Sequence, residues 1–146
     1  MATPGRFRID PDDPRPLYVQ IMDEVRRAVV GGALRSDDAM PSVRELAGEL
    51  RLNPNTVQQA YRELEREGTL YILRGRGSFV APTVDRGALR GEVLRDLAER
   101  ALEEAARAGV SPEELERAIR DAAQGSGGGD DPVQSQHRSS GRDVDG

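Results

Sequence analysis

The chain has 146 residues, of which 36% are hydrophobic and 32% charged, so it can build one modest core. All 21 basic charges are Arg; 26 acidic residues oppose them, and the formal net charge of -5 argues against a broadly basic nucleic-acid coat. The absence of Cys excludes disulfides, thiolate zinc sites, Cys nucleophiles and iron–sulfur clusters.

Residues 1–16 hold four prolines and no helical period, and read as an extended arm. They carry no secretory signal, and no apolar run anywhere approaches the ~20 residues of a membrane span, so the expected location is the cytoplasm, without membrane contact. From Leu17 the apolar residues Leu17, Ile21, Val25, Ala28 and Val29 recur at helical spacing, and Gly31-Gly32 stops the helix. A polar connection, Ser36-Asp37-Asp38, leads to Met40-Pro41. Ser42 and Glu45 then stand in the capping-box spacing at the head of a short second helix, which buries Val43, Leu46, Ala47 and Leu50. Asn53-Pro54 is an N-cap and N1 pair for a third helix burying Val57, Ala60, Tyr61 and Leu64 and ending near Gly68. Helix, tight turn and helix is the helix-turn-helix layout. Thr69 to Arg74 and Ser78 to Ala81 are β-prone around a Gly75-Arg76-Gly77 turn, so a hairpin comes next and completes a winged helix.

Pro82-Thr83 marks an expected boundary. Beyond it a helix from about Arg86 to Ala108 carries a wide aliphatic stripe, and Gly109 ends it. Ser111-Pro112-Glu113-Glu114 opens a second helix with Leu115, Ala118, Ile119 and Ala122 on one side. Residues 125–146 are Gly, Ser, Asp, Gln and Arg with two Val, too few apolar groups to offset ordering entropy, and are expected to be disordered. The expected organisation is an arm (1–16), a winged-helix domain (17–82), a helical dimerisation segment (83–124) and a tail (125–146). The fold class is mainly α with a small β-hairpin.

The outward face of the third helix is Asn55, Thr56, Gln58, Gln59 and Arg62. Amide side chains pair bidentately with adenine and guanidinium with guanine, so this face suits major-groove reading. A solvated polar face is the bland alternative for any one helix; the capping box, the Asn-Pro start and the hairpin together favour DNA. Arg44, near the start of the second helix, can reach a phosphate or a guanine edge, or else pair with Glu45 or Glu49. Arg74 and Arg76 flank Gly75 and Gly77 at a tip able to approach a minor groove. Catalysis finds no support. The one His, His137, lies in the tail, acid pairs such as Asp12-Asp13 are adjacent in sequence, and no metal or cofactor set is present. The stripe Leu89, Val93, Leu94, Leu97, Ala101 and Leu102 needs a partner, and a second copy of the chain is preferred. A winged helix that binds a protein instead of DNA is the alternative, disfavoured by the lack of a hydrophobic anchor on the polar face.

The strings Leu17-Tyr18-Val19-Gln20-Ile21, Met40-Pro41-Ser42-Val43-Arg44-Glu45-Leu46-Ala47, Asn53-Pro54-Asn55-Thr56-Val57 and Arg74-Gly75-Arg76-Gly77-Ser78-Phe79-Val80 resemble the GntR family of bacterial winged-helix transcription regulators. The short two-helix C-terminal part resembles its YtrA-like subgroup. The resemblance implies a homodimer on a palindromic double-stranded operator, usually a repressor, often of a nearby ABC transporter operon. It places DNA contacts at Arg44, Asn53, Asn55, Thr56, Gln58, Arg74, Gly75, Arg76 and Gly77. Many relatives carry Pro-Gly-Asp where this chain has Ser36-Asp37-Asp38, a departure expected to loosen that turn. They often carry a basic residue where Gln58 or Gln59 stands, which points to a lower affinity or a different base preference. No large effector domain and no Lys for pyridoxal phosphate are present, so the cofactor expectation is none and any small effector is unknown.

Overall fold

The computed structural model describes residues 7–126. The elements run α1 (Leu17–Val30), α2 (Val43–Leu50), α3 (Pro54–Arg66), β1 (Leu70–Leu73), β2 (Gly77–Val80), α4 (Arg86–Arg107) and α5 (Pro112–Gly125). By its contacts the chain divides between Arg100 and Ala101 into two compact units. Residues 1–6 of the expected arm and the expected tail from 127 on, with His137, lie outside the described residues.

In the first unit α3 packs on both α1 and α2, and the hairpin comes directly after it. The 3.6-residue period decides what is buried: Ile21, Val25 and Val29 from α1, Leu46 and Ala47 from α2, and Val57, Ala60, Tyr61 and Leu64 from α3 close one core. Leu34, Met40, Leu70 and Val80 fill it from the connections and strands. The local stop and start signals act as the residues dictate. Ser42 Oγ accepts from the Glu45 N–H at 3.1 Å, and Asn53 Oδ1 from the Asn55 N–H at 2.9 Å. Gly68, at φ 85°, lets α3 close with the Thr69 N–H on the Leu64 carbonyl at 2.9 Å, a turn that L side chains rarely adopt. Between α2 and α3 that left-handed position is held by Arg51 (φ 54°), with the Leu52 N–H on the Ala47 carbonyl.

β1 and β2 pair antiparallel in the register Leu70–Val80, Tyr71–Phe79, Ile72–Ser78 and Leu73–Gly77. The chain before α2 bonds to the free edge of β2 through an isolated bridge and the turn beside it. Ala39 bridges Phe79, the Met40 N–H reaches the Ser78 carbonyl (2.8 Å), the Asp37 N–H donates to the Val80 carbonyl (2.8 Å), and the Val80 N–H donates to the Asp38 carbonyl (3.0 Å). These bonds close the Ser36-Asp37-Asp38 turn against the edge of β2. Asp37 adopts φ 65°, and the Asp38 carboxylate accepts from the Arg35 N–H at 2.8 Å.

Residues 7–16 lie along α1. Phe7 and Ile9 pack on the core, the Asp10 N–H donates to Gln20 Oε1 (3.0 Å), and the Arg8 N–H donates to Glu24 (3.2 Å). At the other end Ala81 is buried, Val84 leans on the core and Leu89 enters it, so the start of α4 stays with the first unit. Arg86 ties that start down by donating to the Val29 carbonyl at 2.7 Å, at the negative end of α1.

The second unit contains the end of α4 and α5. Ala105 is buried there, and α5 opens with both bonds of a capping box, Ser111 Oγ from Glu114 N–H (3.2 Å) and Glu114 Oε2 from Ser111 N–H (2.8 Å).

Candidate nucleic-acid interface

The surface that α3 leaves in solvent is its polar face. Asn55, Gln58, Gln59 and Arg62 are exposed and Thr56 is half-buried, while Val57, Ala60, Tyr61 and Leu64 turn inward. Spacing 55, 58, 59 and 62 is one stripe of an α-helix, so the amides and the guanidinium project together from the N-terminal two turns. That end of α3 also carries the positive pole of the helix dipole, which favours phosphate. Asn53 is exposed, but its Oδ1 is spent on the cap, so the amide NH₂ is the part left to donate outward.

Arg44 stands exposed on the first turn of α2. Tyr61 spans the gap between the two helices: its ring is buried in the core, and its hydroxyl donates to the Pro41 carbonyl at 2.7 Å. That bond holds the segment preceding α2 against α3. Burial, with the negative charges of Glu45 and Glu49 adding to it, pushes the phenol well above its ordinary value, so the hydroxyl stays a donor.

The wing tip is Leu73-Arg74-Gly75-Arg76, closed by the Arg76 N–H on the Leu73 carbonyl at 3.0 Å. Gly75 sits at φ 77° with open space about it, so the tip presents its backbone between two guanidiniums, with Leu73 exposed at its base. Arg74, Gly75, Arg76 and Gly77 are all exposed. The base of the wing is braced. Tyr71 and Phe79 stack with centroids 5.3 Å apart, and the Tyr71 hydroxyl donates to Asp37 at 2.9 Å, which raises its pKa.

Among the described residues, Arg44, Arg62, Arg74 and Arg76 enter no ion pair, whereas Arg15, Arg26, Arg27 and Arg100 are all paired to carboxylates. The first four guanidiniums, on α2, α3 and the wing, keep their charge available for an outside anion.

Sequence reasoning missed the Tyr61–Pro41 bond, the Asp37–Tyr71 brace and the bridge from Ala39 to the edge of β2. The first had a signal, since a buried Tyr needs a partner for its hydroxyl. The other two depend on a register that only folding sets. Of the proposed association stripe, Leu94 (57% exposed), Leu97 (46%) and Leu102 (44%) are open, Val93 and Ala101 are half-buried, and Leu89 is taken up by the core of its own chain at 6%. Leu89 is therefore no free member of that stripe. Among the described residues, no group of three or more His, Asp or Glu is placed to hold a metal ion, and no helix is long and apolar enough to cross a membrane.

The model of the bacterial regulatory proteins of the gntR family matches residues 17–80, which is α1 through the wing. The HTH-type transcriptional repressor YtrA of Bacillus subtilis is 36% identical over 117 residues, covering 79% of this chain and 90% of that one. The chain belongs to the GntR family. It is a DNA-binding transcription regulator with the family's winged helix-turn-helix and the short C-terminal part of YtrA-like members. Among solved structures, a GntR family transcriptional regulator from Listeria monocytogenes aligns at TM-score 0.61 and 32% identity over 75% of this chain and 97% of that one. YtrA from Sulfolobus acidocaldarius aligns at TM-score 0.52 and 37% identity over 63% of this chain and 97% of that one.

Proposed function

We propose that this GntR regulator is a homodimeric cytoplasmic repressor of a palindromic operator and has no enzymatic role. In this reading α3 enters the major groove, Asn55, Gln58, Gln59 and Arg62 meet base edges, and Thr56 and Arg44 meet the backbone. The wing tip, with Arg74 and Arg76, lies at the flanking minor groove. The observation that carries the reading is the exposed stripe Asn55, Gln58, Gln59 and Arg62 on α3, with Arg44, Arg74 and Arg76 exposed on α2 and the wing and, among the described residues, in no ion pair. Dimerisation is supported by Leu94 and Leu97, two large apolar residues exposed one turn apart on α4. The repressor sign is supported by the name of its Bacillus subtilis relative. The first target to test is a transporter operon beside its own gene.

Selection of bound sequences from a random DNA pool tests this. The wild type should return a palindrome, and Asn55→Ala or Gln58→Ala should weaken binding by ~1–3 kcal/mol and relax one base step. Selection of the same sequence with the same affinity by wild type and both variants would overturn base reading by α3. Ile72 and Leu73 are exposed on β1, which gives a protein-docking alternative a foothold; an unenriched pool would favour it.

A further inference from the structure

α4 is joined to the first unit at two places of different chemistry. Near its start Leu89 is buried in the core and Arg86 donates to the Val29 carbonyl. After Leu89 the helix offers little apolar anchorage: Val93 is half-buried, and Leu94 and Leu97 are exposed. The second attachment is ionic. It lies at Asp96 and Arg100, about 10 and 16 Å further along the helix at ~1.5 Å per residue.

Two carboxylates gather the charges there. Asp23, on α1, accepts from Arg100 at 2.9 Å, from Arg26 at 3.1 Å, and from Arg15 of the arm. Asp96, on α4, faces Arg100 (3.2 Å), Arg27 of α1 (3.4 Å) and Arg15 (3.5 Å). Arg15 is itself oriented by Asp13 at 2.7 Å. Burial opposes its charge, but the bonds to Asp13 and Asp23 outweigh that and raise its pKa, while the Arg15 bond lowers that of Asp13. Asp23 is only 13% exposed, so its bonds are shielded, whereas Asp96, Arg27 and Arg100 are about a third exposed and hold through their number and shared partners. Arg26 continues the chain of ion pairs. Its Nε donates to Glu67 at 2.9 Å, and Glu67 accepts from Thr69 Oγ at 2.8 Å, at the join between α3 and the wing.

A helix held by a buried leucine at one point and by ion pairs about 16 Å away has its direction set at the second point. We propose that the Asp23–Asp96 clamp, through Arg15, Arg27 and Arg100, is the device that fixes the direction in which α4 leaves the DNA-binding unit and thereby sets the half-site spacing the regulator accepts. These are positioning residues, remote from the exposed amide stripe of α3. The inference rests on the paired-half-site reading of the proposed function.

The test uses the full chain and a panel of duplexes carrying one half-site, or two half-sites at spacings stepped by one base pair. Wild type should prefer one spacing. The double variant Asp96→Ala, Arg100→Ala removes the α4 side of the clamp with a good helix former. It should bind a single half-site within about twofold of wild type, yet lose at least fivefold of the discrimination between the preferred spacing and its neighbours. Asp96→Glu, which keeps the carboxylate, should retain the preference. Arg15→Ala alters the clamp without touching α4, should move the spacing profile in the same direction, and serves if the double variant fails to fold. Hydrogen exchange along residues 93–100 should quicken in both variants. An unchanged spacing profile in folded variants would overturn the clamp. A wild type that binds half-sites with no spacing preference would overturn the paired-site reading, and the clamp's role with it.

Discussion

Tyr61 does two jobs at once. Its ring fills the core between α1, α2 and α3, and its hydroxyl fixes the Pro41 carbonyl just before α2. Tyr61→Phe should keep the packing and lose about 1 kcal/mol of stability at neutral pH. The pH dependence has a definite sign. The folded pKa is raised, first by burial and then by Glu45 and Glu49, so the contribution is complete below about pH 10 and is lost as pH rises further. Urea unfolding in neutral and strongly alkaline buffer should show a steeper alkaline loss for wild type than for Tyr61→Phe; equal losses would place the ionising group elsewhere. Some alkaline dependence should survive in the variant, because Tyr71 is also raised by its bond to Asp37. At the wing tip, Arg76 is exposed and unpaired among the described residues. Arg76→Ala should weaken binding to many sequences alike and lower the slope of log affinity against log salt by ~1. A titration series with an unchanged slope would remove the wing from the interface.

At the scale of elements, the local signals and the fold agree because each is a short-range bond. Ser42 and Asn53 accept the N–H groups their spacing assigns them, and the stop at Gly68 reflects a φ that L side chains rarely adopt. Ser42→Ala should cost about 1 kcal/mol, seen as a lower melting temperature, because α2 has only 8 residues and few other bonds at its start. Arg51 is a position where local propensity misleads. The turn between α2 and α3 needs a left-handed residue, and an Arg fills it where Gly would be the expected choice. The wing shows a different limit. Periodicity found β1 and β2, but residues 37–40 carry no strand pattern; they bond to the edge of β2 because it presents unpaired backbone groups that must be satisfied.

For the whole molecule, charge is arranged and not merely summed. Residues 1–82 hold 12 Arg and 12 acids, so the net negative charge belongs to residues 83–146. Within the first unit, Asp13, Asp23, Glu24, Glu67 and Asp96 pair with Arg15, Arg26, Arg27 and Arg100 around α1, while Arg44, Arg62, Arg74 and Arg76 enter no ion pair among the described residues. Such an arrangement suits a focused reader with weak non-specific binding. Association should depend on the middle of α4. Leu97→Arg should give a light-scattering mass of one chain and weak operator binding, and a mass still equal to two chains would move the interface away from that face.

Composition, capping residues and hydrophobic period determined the helices, the hairpin and the polar face of α3, because each is set by residues a few positions apart. The aliphatic spacing could not tell that Leu89 goes to its own core while Leu94 and Leu97 stay open. Little more than one turn of helix separates Leu89 from Leu94, and only the packing of the start of α4 on the core distinguishes them. The ion-pair clamp was equally invisible, since it joins residues 13, 15, 23, 27, 96 and 100, the widest pair being Arg15 and Asp96. Local chemistry thus specified what the exposed face of α3 and the wing is made of. Tertiary structure decided how that surface is braced and how α4 is held to it, because those contacts form only when distant segments are brought within a few ångströms.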